Sequence, residues 1–311
     1  MSWFLVAIIA YFILALVNLA DKFILEKVVP RAKTYAFLVG TAGLLIFIIA
    51  PWFLAWPGWS LWLINIFTGA VFSLALLFFY QALKNSEASR IVTLVGGTVP
   101  IIILFFSIIL FQESFNIKQL LAIVFLVGGT IVISLINPER TIWFKVKEWF
   151  YIPSPKQTKS IFLSLLSALC FALYWVGSKH AFNNQEFLSA LSWIRLGTFL
   201  AVLFLIIRKK DRQEIKKDLL KSNQKKQNKF IFFGAQGLAA IGSILQNYAI
   251  ALGSVVLVTS LQGLQYALVL IFTSILSIFL PKIIKENQSR KIIIQKIAAI
   301  ILIGLGLYFI S

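Results

Sequence analysis

Long apolar stretches alternate with short hydrophilic gaps along the whole of this 311-residue chain. The stretches run over residues 3–25, 34–53, 61–83, 91–112, 117–136, 160–182, 187–207, 230–252, 255–280 and 292–310. A helix rising 1.5 Å per residue needs about 20 residues to cross a hydrocarbon core of about 30 Å. The pattern therefore predicts an all-α integral membrane protein with ten transmembrane helices. A membrane barrel would instead show shorter segments of strict apolar–polar alternation, which this chain lacks.

The last five stretches repeat the first five. Displaced by 157 residues, Ala15, Lys22, Gly40, Thr41 and Phe47 fall on Ala172, Lys179, Gly197, Thr198 and Phe204. A displacement of 168 lays Gly69 and Tyr80 on Gly237 and Tyr248, and one of 167 lays Gly96, Phe105 and Ser107 on Gly263, Phe272 and Ser274. At 176, Gln119, Ala122 and Gly128 meet Gln295, Ala298 and Gly304. The displacement grows only across gaps, so insertions fall in loops and leave the helical frame intact. This predicts a five-helix unit over 1–136, a basic linker over 137–159 and a second five-helix unit over 160–311. A unit with an odd number of spans enters the membrane from opposite sides in its two copies, so the halves form inverted repeats, 5+5, about an axis in the membrane plane. Such a pair can close over a central cavity from either face, which points to a transporter working by alternating access. The other class left open is a non-transporting scaffold that binds lipid or a partner.

Composition agrees with a bilayer setting: 60% of residues are hydrophobic and 13% charged, with a mean hydropathy of +0.91. A net charge of +18 would suggest nucleic acid in a soluble protein, but its placement excludes that reading. Of the 29 Lys and Arg residues, 26 lie in the first, third, fifth, seventh and ninth gaps or in the span turns bordering them. By the positive-inside rule these odd gaps face the cytoplasm and both termini face outward, in a multi-pass protein of the cell (inner) membrane. The basic run from Arg208 to Lys229 reads as a solvated loop that sets topology, or as a surface for anionic headgroups. Met1-Ser2-Trp3 offers no basic n-region, so the first span is expected to be retained.

Several residues carry a resemblance. They are Tyr80-x-Ala82-Leu83-Lys84 ending span three, Ala88-Ser89 entering span four, Pro100 within it and Glu113 at its end, and Gln119-x-x-Ala122 leading to Gly128-Gly129 in span five. Across essentially the whole chain they resemble the EamA-type branch of the drug/metabolite transporter superfamily. The resemblance implies a ten-helix inverted-repeat fold and the export or exchange of small metabolites, often amino acids, through a central cavity. Arg195 is similar to an arginine common near that position. The second copy departs from the pattern, with Ala267 and Leu280 where Pro100 and Glu113 would recur. The charges also place the termini opposite to the arrangement the resemblance implies.

Polar groups within spans are costly against lipid and should face the interior or a wet cavity. The candidate substrate-binding residues are Asn18, Tyr80, Tyr174, Trp175, Arg195, Gln246, Gln262, Gln265 and Tyr266. Gln262, Gln265 and Tyr266 lie three and four apart, hence on one helical face. They contact ligand or hold helices together. Tyr174 and Trp175 offer flat aromatic surface, whereas Trp56, Trp59 and Trp62 lie near a gap and read as interface anchors. Arg195 lies eight residues into span seven, where an unpaired guanidinium costs roughly 2.5–3.5 kcal/mol. Its partner is a substrate carboxylate, or helix carbonyls and Glu186. Lys22 and Lys179 are repeat-equivalent and read as gate residues at opposite mouths, or as helix-end snorkelers. Pro100, preceded by Gly96-Gly97, marks a hinge or a fixed kink in span four. Gly40 and Gly43, Gly128-Gly129, and Gly304 and Gly306 should let helices approach closely.

All eleven acidic residues lie at span ends or in gaps, so no deep carboxylate is available to carry protons. There is no Gly-x-x-x-x-Gly-Lys-Ser/Thr loop, and no nucleophile with base and orienting acid on one membrane face. The chain is expected to be neither an ATPase nor an enzyme, to use no cofactor or metal and to bind no nucleic acid. The expected partners are a small-molecule metabolite and membrane lipid, with monomer and homodimer both open. Within the transporter class, the substrate reading is a neutral or zwitterionic solute such as an amino acid. A carrier of nucleotide sugars or other phosphorylated metabolites would want more cavity cations than Arg195 alone.

Overall fold

In a computed structural model, residues 2–25, 32–83, 88–134, 155–207, 212–217, 226–279 and 290–310 are described, and every regular element among them is helical. The helices are α1 (Trp3–Leu25), α2 (Ala32–Gly43), α3 (Trp59–Leu83), α4 (Ala88–Leu110), α5 (Ile117–Ser134), α6 (Pro155–Asn184), α7 (Phe187–Ile207), α8 (Lys226–Leu252), α9 (Val255–Ser260), α10 (Gln262–Phe279) and α11 (Arg290–Ile310). By length and composition, seven spans among the described residues can cross a membrane: α3, α5 and most of α4, α6, α7 and α11, with α9 and α10 counted as one. The apolar run of α1 is shorter, Trp3–Leu19. In lipid only helices satisfy every backbone group within one segment, which is why long apolar runs fold this way. The basic linker over 137–159 lies mostly outside the described residues, as does much of the loop from Arg208 to Lys229.

Two expected spans differ from continuous α-helices. Span 34–53 is α-helical only through Gly43 and then tightens into 3₁₀ turns at Leu44–Ile48 and Ala50–Trp52. Pro51 has no N–H to offer an i→i−4 ladder, and the chain turns away at Gly58, whose φ of +85° is left-handed. Span 255–280 breaks at Leu261, between α9 and α10.

The helices pack by crossing between the two halves of the sequence: α1 lies along α8, α6 along α3, and α5 along α11. Small residues make these approaches close. A Cβ on Gly69 of α3 would run into the backbone of Ile194, Gly197 and Thr198 in α7, and one on Gly197 into the backbone of Ile66. Gly129 faces Ile303, and Gly306 faces Leu126. Gly128 and Gly304 have open space beside them, so one glycine of each of these two pairs makes a close approach, whereas Gly40 and Gly43 both do, against Val202 and Arg195 of α7. Serine hydroxyls of α6 tie the α3 seam: Ser167 Oγ donates to Ala75 O (2.9 Å) and Ser160 Oγ to Ala82 O (2.8 Å). Cys170 packs on Val71 and Ala75. Exposed Leu5, Ile9, Phe12 and Leu16 line one face of α1, the lipid-facing pattern.

Candidate functional site

The break at Leu261 between α9 and α10 organises the polar interior. Thr259 Oγ1 donates to the carbonyls of Val255 (2.7 Å) and Val256 (3.1 Å), competing for α9's own acceptors. From α1, the buried Tyr11 hydroxyl donates to Val258 O at 2.7 Å. The Tyr11 hydroxyl oxygen accepts in turn from Gln246 Nε2 of α8 at 3.2 Å. Just beyond the break Gln262 Nε2 donates to Tyr266 Oη (3.0 Å), and Gln265 Nε2 reaches Leu14 O of α1 (3.5 Å). Helices α1, α8, α9 and α10 therefore meet around Leu261 through amide and phenol groups.

One turn earlier on α8, Ser243 Oγ accepts a 2.6 Å hydrogen bond from Arg195 Nη2 of α7. Ser243, Gln246 and Asn247 are three and four apart and share a face. Asn247 Nδ2 donates to Ser243 O (2.8 Å), and Asn247 Oδ1 accepts from the buried Tyr174 hydroxyl (3.4 Å). The Tyr174 ring lies between Phe72 and Trp175, each with its centroid 4.6 Å away. This α8 segment thus links Arg195, Tyr11 and Tyr174. Arg195 meets a hydroxyl here, while Glu186 is exposed just before α7. Its aliphatic stem lies against Gly43 of α2, 3.2 Å from where a Cβ would be.

Of the residues singled out from sequence, Arg195, Gln246, Gln262, Gln265, Tyr266, Tyr174 and Trp175 belong to this connected region. Asn18 is half-buried two helical turns past Tyr11, and Tyr80 is half-buried near the end of α3, its ring against Phe79. Lys179 caps α8: its Nζ donates to the carbonyls of Ile250 (3.0 Å), Ala251 (3.3 Å) and Gly253 (2.8 Å). Beside it in sequence, Ser254 Oγ donates to Glu113 Oε2 at 2.6 Å. The side chain of Lys22 lies outside the described residues. Gly96 and Gly97 face Thr130 and Ile131 of α5, and Pro100 is buried inside a continuous α4. Tyr11 and Ser243 were missed from sequence. Tyr11 stands among aliphatics in span one without a polar neighbour to flag it. Ser243, three residues before Gln246, carried a readable spacing signal. Among the described residues no group of three His, Cys, Asp or Glu side chains is placed to hold a metal ion.

The region offers one guanidinium, several amides, phenols and hydroxyls, and aromatic walls, a set suited to binding. No curated protein matches the chain. A crystal structure of a protein sharing 17% identity superposes with a TM-score of 0.61, covering 99% of this chain and 95% of its own, which shows a shared fold. The model of the EamA-like transporter family matches residues 1–135 and 158–311. Two matched segments, an all-helical crossing of the two halves and apolar spans throughout lead to one statement: the chain belongs to the EamA-like transporter family.

Proposed function

We propose that this protein is a secondary transporter of small neutral or zwitterionic metabolites, amino acids first among them. It works as an exporter, uniporter or exchanger by alternating access between two inverted five-helix units. Helix pairing supports the inversion. Exchanging the repeats turns the α1–α8 pair into α6–α3 and maps the α5–α11 pair onto itself, and all three pairs are present. In this reading α9 and α10 together form the ninth of ten spans.

The observation that carries the substrate class is Arg195 on Ser243. A hydroxyl accepts the hydrogen bond without neutralising the charge, so the guanidinium keeps its attraction for a carboxylate. Gln246, Gln262 and Tyr266 supply neutral polar contacts nearby, and Trp175 an apolar wall. Odd gaps face the cytoplasm, as the charges favour. The test is counterflow of labelled amino acids in proteoliposomes. Uptake above empty vesicles is expected, and no flux for any amino acid overturns the substrate assignment.

A further inference from the structure

The two halves share these three helix pairings but not every contact. On α3, the face holding Ile66, Gly69 and Ser73 is covered by α7, with Ser73 Oγ donating to Thr198 O (3.0 Å) and Gly69 against the α7 backbone. The displacement of 168 carries these three residues to Gly234, Gly237 and Ile241 of α8. Among the described residues that face is bare: all three are exposed, Ile241 to 50%, as is Leu238 between them, and no described atom lies within 4 Å of a Cβ on either glycine. The same symmetry names the missing occupant. Gly197 and Thr198 of α7, which cover α3, correspond to Gly40 and Thr41 of α2. At present α2 rests on α7 instead, where a Cβ on Gly40 would lie 2.8 Å from Val202 Cγ2.

We infer that the bare Gly234–Gly237 face of α8 is the seat of α2 in the opposite conformation of the carrier. This rests on the alternating-access reading. In an inverted repeat the second conformation is the first with the roles of the halves exchanged. Gly40 and Thr41 then meet Gly234 and Gly237 as Gly197 and Thr198 now meet Ile66 and Gly69, and the α3–α7 seam parts. The docking needs glycine, because helices approach this closely only where no side chain intervenes. A surface that merely faced lipid would have no such requirement. The seat opens toward the basic-gap face and the α3–α7 seam toward the other, so the two cannot both be closed if solute is to pass.

The test uses the full-length protein in liposomes. In a Cys170→Ala background, the pair Thr41→Cys and Gly237→Cys mirrors Thr198 and Gly69. A disulfide needs Cβ atoms about 3.5–4.5 Å apart, so it reports direct docking. Oxidation followed by a maleimide mass tag is expected to leave the pair unshifted within one chain and to stop counterflow until reductant is added. No disulfide under any condition overturns the inference, as does a bond formed only between chains. Gly237→Leu provides an independent arm: open space lets it fold, and at least a tenfold loss of exchange is expected, with Gly237→Ala losing less. Wild-type-like exchange by Gly237→Leu means the face serves lipid only and overturns the inference. The disulfide does not depend on any substrate. A pair that docks on oxidation but moves no amino acid even after reduction refutes the substrate reading alone, and flux without docking refutes this inference alone.

Discussion

Replacing Lys179 with methionine keeps the length and apolar stem of the side chain and removes its ammonium. All three ammonium donors are engaged, on Ile250 and Ala251 in the last turn of α8 and on Gly253 just past its end. Hydrogen bonds from charged groups contribute about 1.5–3 kcal/mol in soluble proteins, whereas side-chain hydrogen bonds within membranes average about 0.6 and reach about 1.7. The membrane range is the appropriate one, because the unfolded reference state there also finds partners. Three bonds plus about 0.3–1 kcal/mol for a cation at a helix C-terminus give roughly 2–4 kcal/mol, allowing for non-additivity. At about 2 °C per kcal/mol for a chain of this size, Lys179→Met should melt about 4–8 °C lower than wild type in detergent. Lys179→Arg keeps the charge and should recover part of the loss. A Lys179→Met protein melting within about 1 °C of wild type would refute the cap and return Lys179 to a solvated helix end.

Gly69→Ala should cost at least about 1–3 kcal/mol, because its new carbon meets backbone that no rotamer change can move, whereas Gly128→Ala should be near neutral; melting of the two variants side by side checks this. Arg195→Ala should lose carboxylate-bearing solutes about tenfold or more while neutral analogues without a carboxylate are moved as before, measured by counterflow across a solute panel; an unchanged profile removes Arg195 from the binding residues. Tyr11→Phe takes a donor from Val258 and an acceptor from Gln246, and should cost about 1 kcal/mol by melting. Val258 keeps the Leu261 N–H, so a loss several times larger would show that the hydroxyl does more than join the break.

Much of the fold was legible because membrane helices declare themselves by length, and because the repeat fixed which residues correspond. The spacing of Gln262 and Tyr266 foretold a shared face, and the two side chains are hydrogen-bonded to each other. The breadth of the polar interior was legible too, since amides such as Gln246 stand out in an apolar span. What was not legible depends on contacts distant in sequence. Arg195 finds Ser243 across 48 residues and Tyr11 finds Val258 across 247, and nothing local to either residue names its partner. The shortening of α2 was local, with Pro51 as its sign, but the apolar run continued through it and masked the change.

The break at Leu261 shows what the repeat conceals. Its counterpart α4 contains Pro100, the residue that ordinarily interrupts a helix, yet α4 runs unbroken from Ala88 to Leu110. The copy without the proline is the one that breaks. The group at the break is Tyr11, whose hydroxyl takes the carbonyl of Val258, whereas Thr259 bonds back to Val255 and Val256 within α9. The repeat aligns Val92 with Thr259 and Ala168 with Tyr11, so neither hydroxyl exists in the other copy. Gly263 then lets α10 approach α5, its Cβ position 2.6 Å from Thr130 Oγ1, while its counterpart Gly96 stands 3.4 Å from the methyl of the same threonine. Both halves are pinned to one residue of α5, but only one of them is unwound beside it. The two roles therefore separate by chemistry: shared glycines set how closely each half approaches α5, and the unshared Tyr11 hydroxyl joins the polar interior to the break.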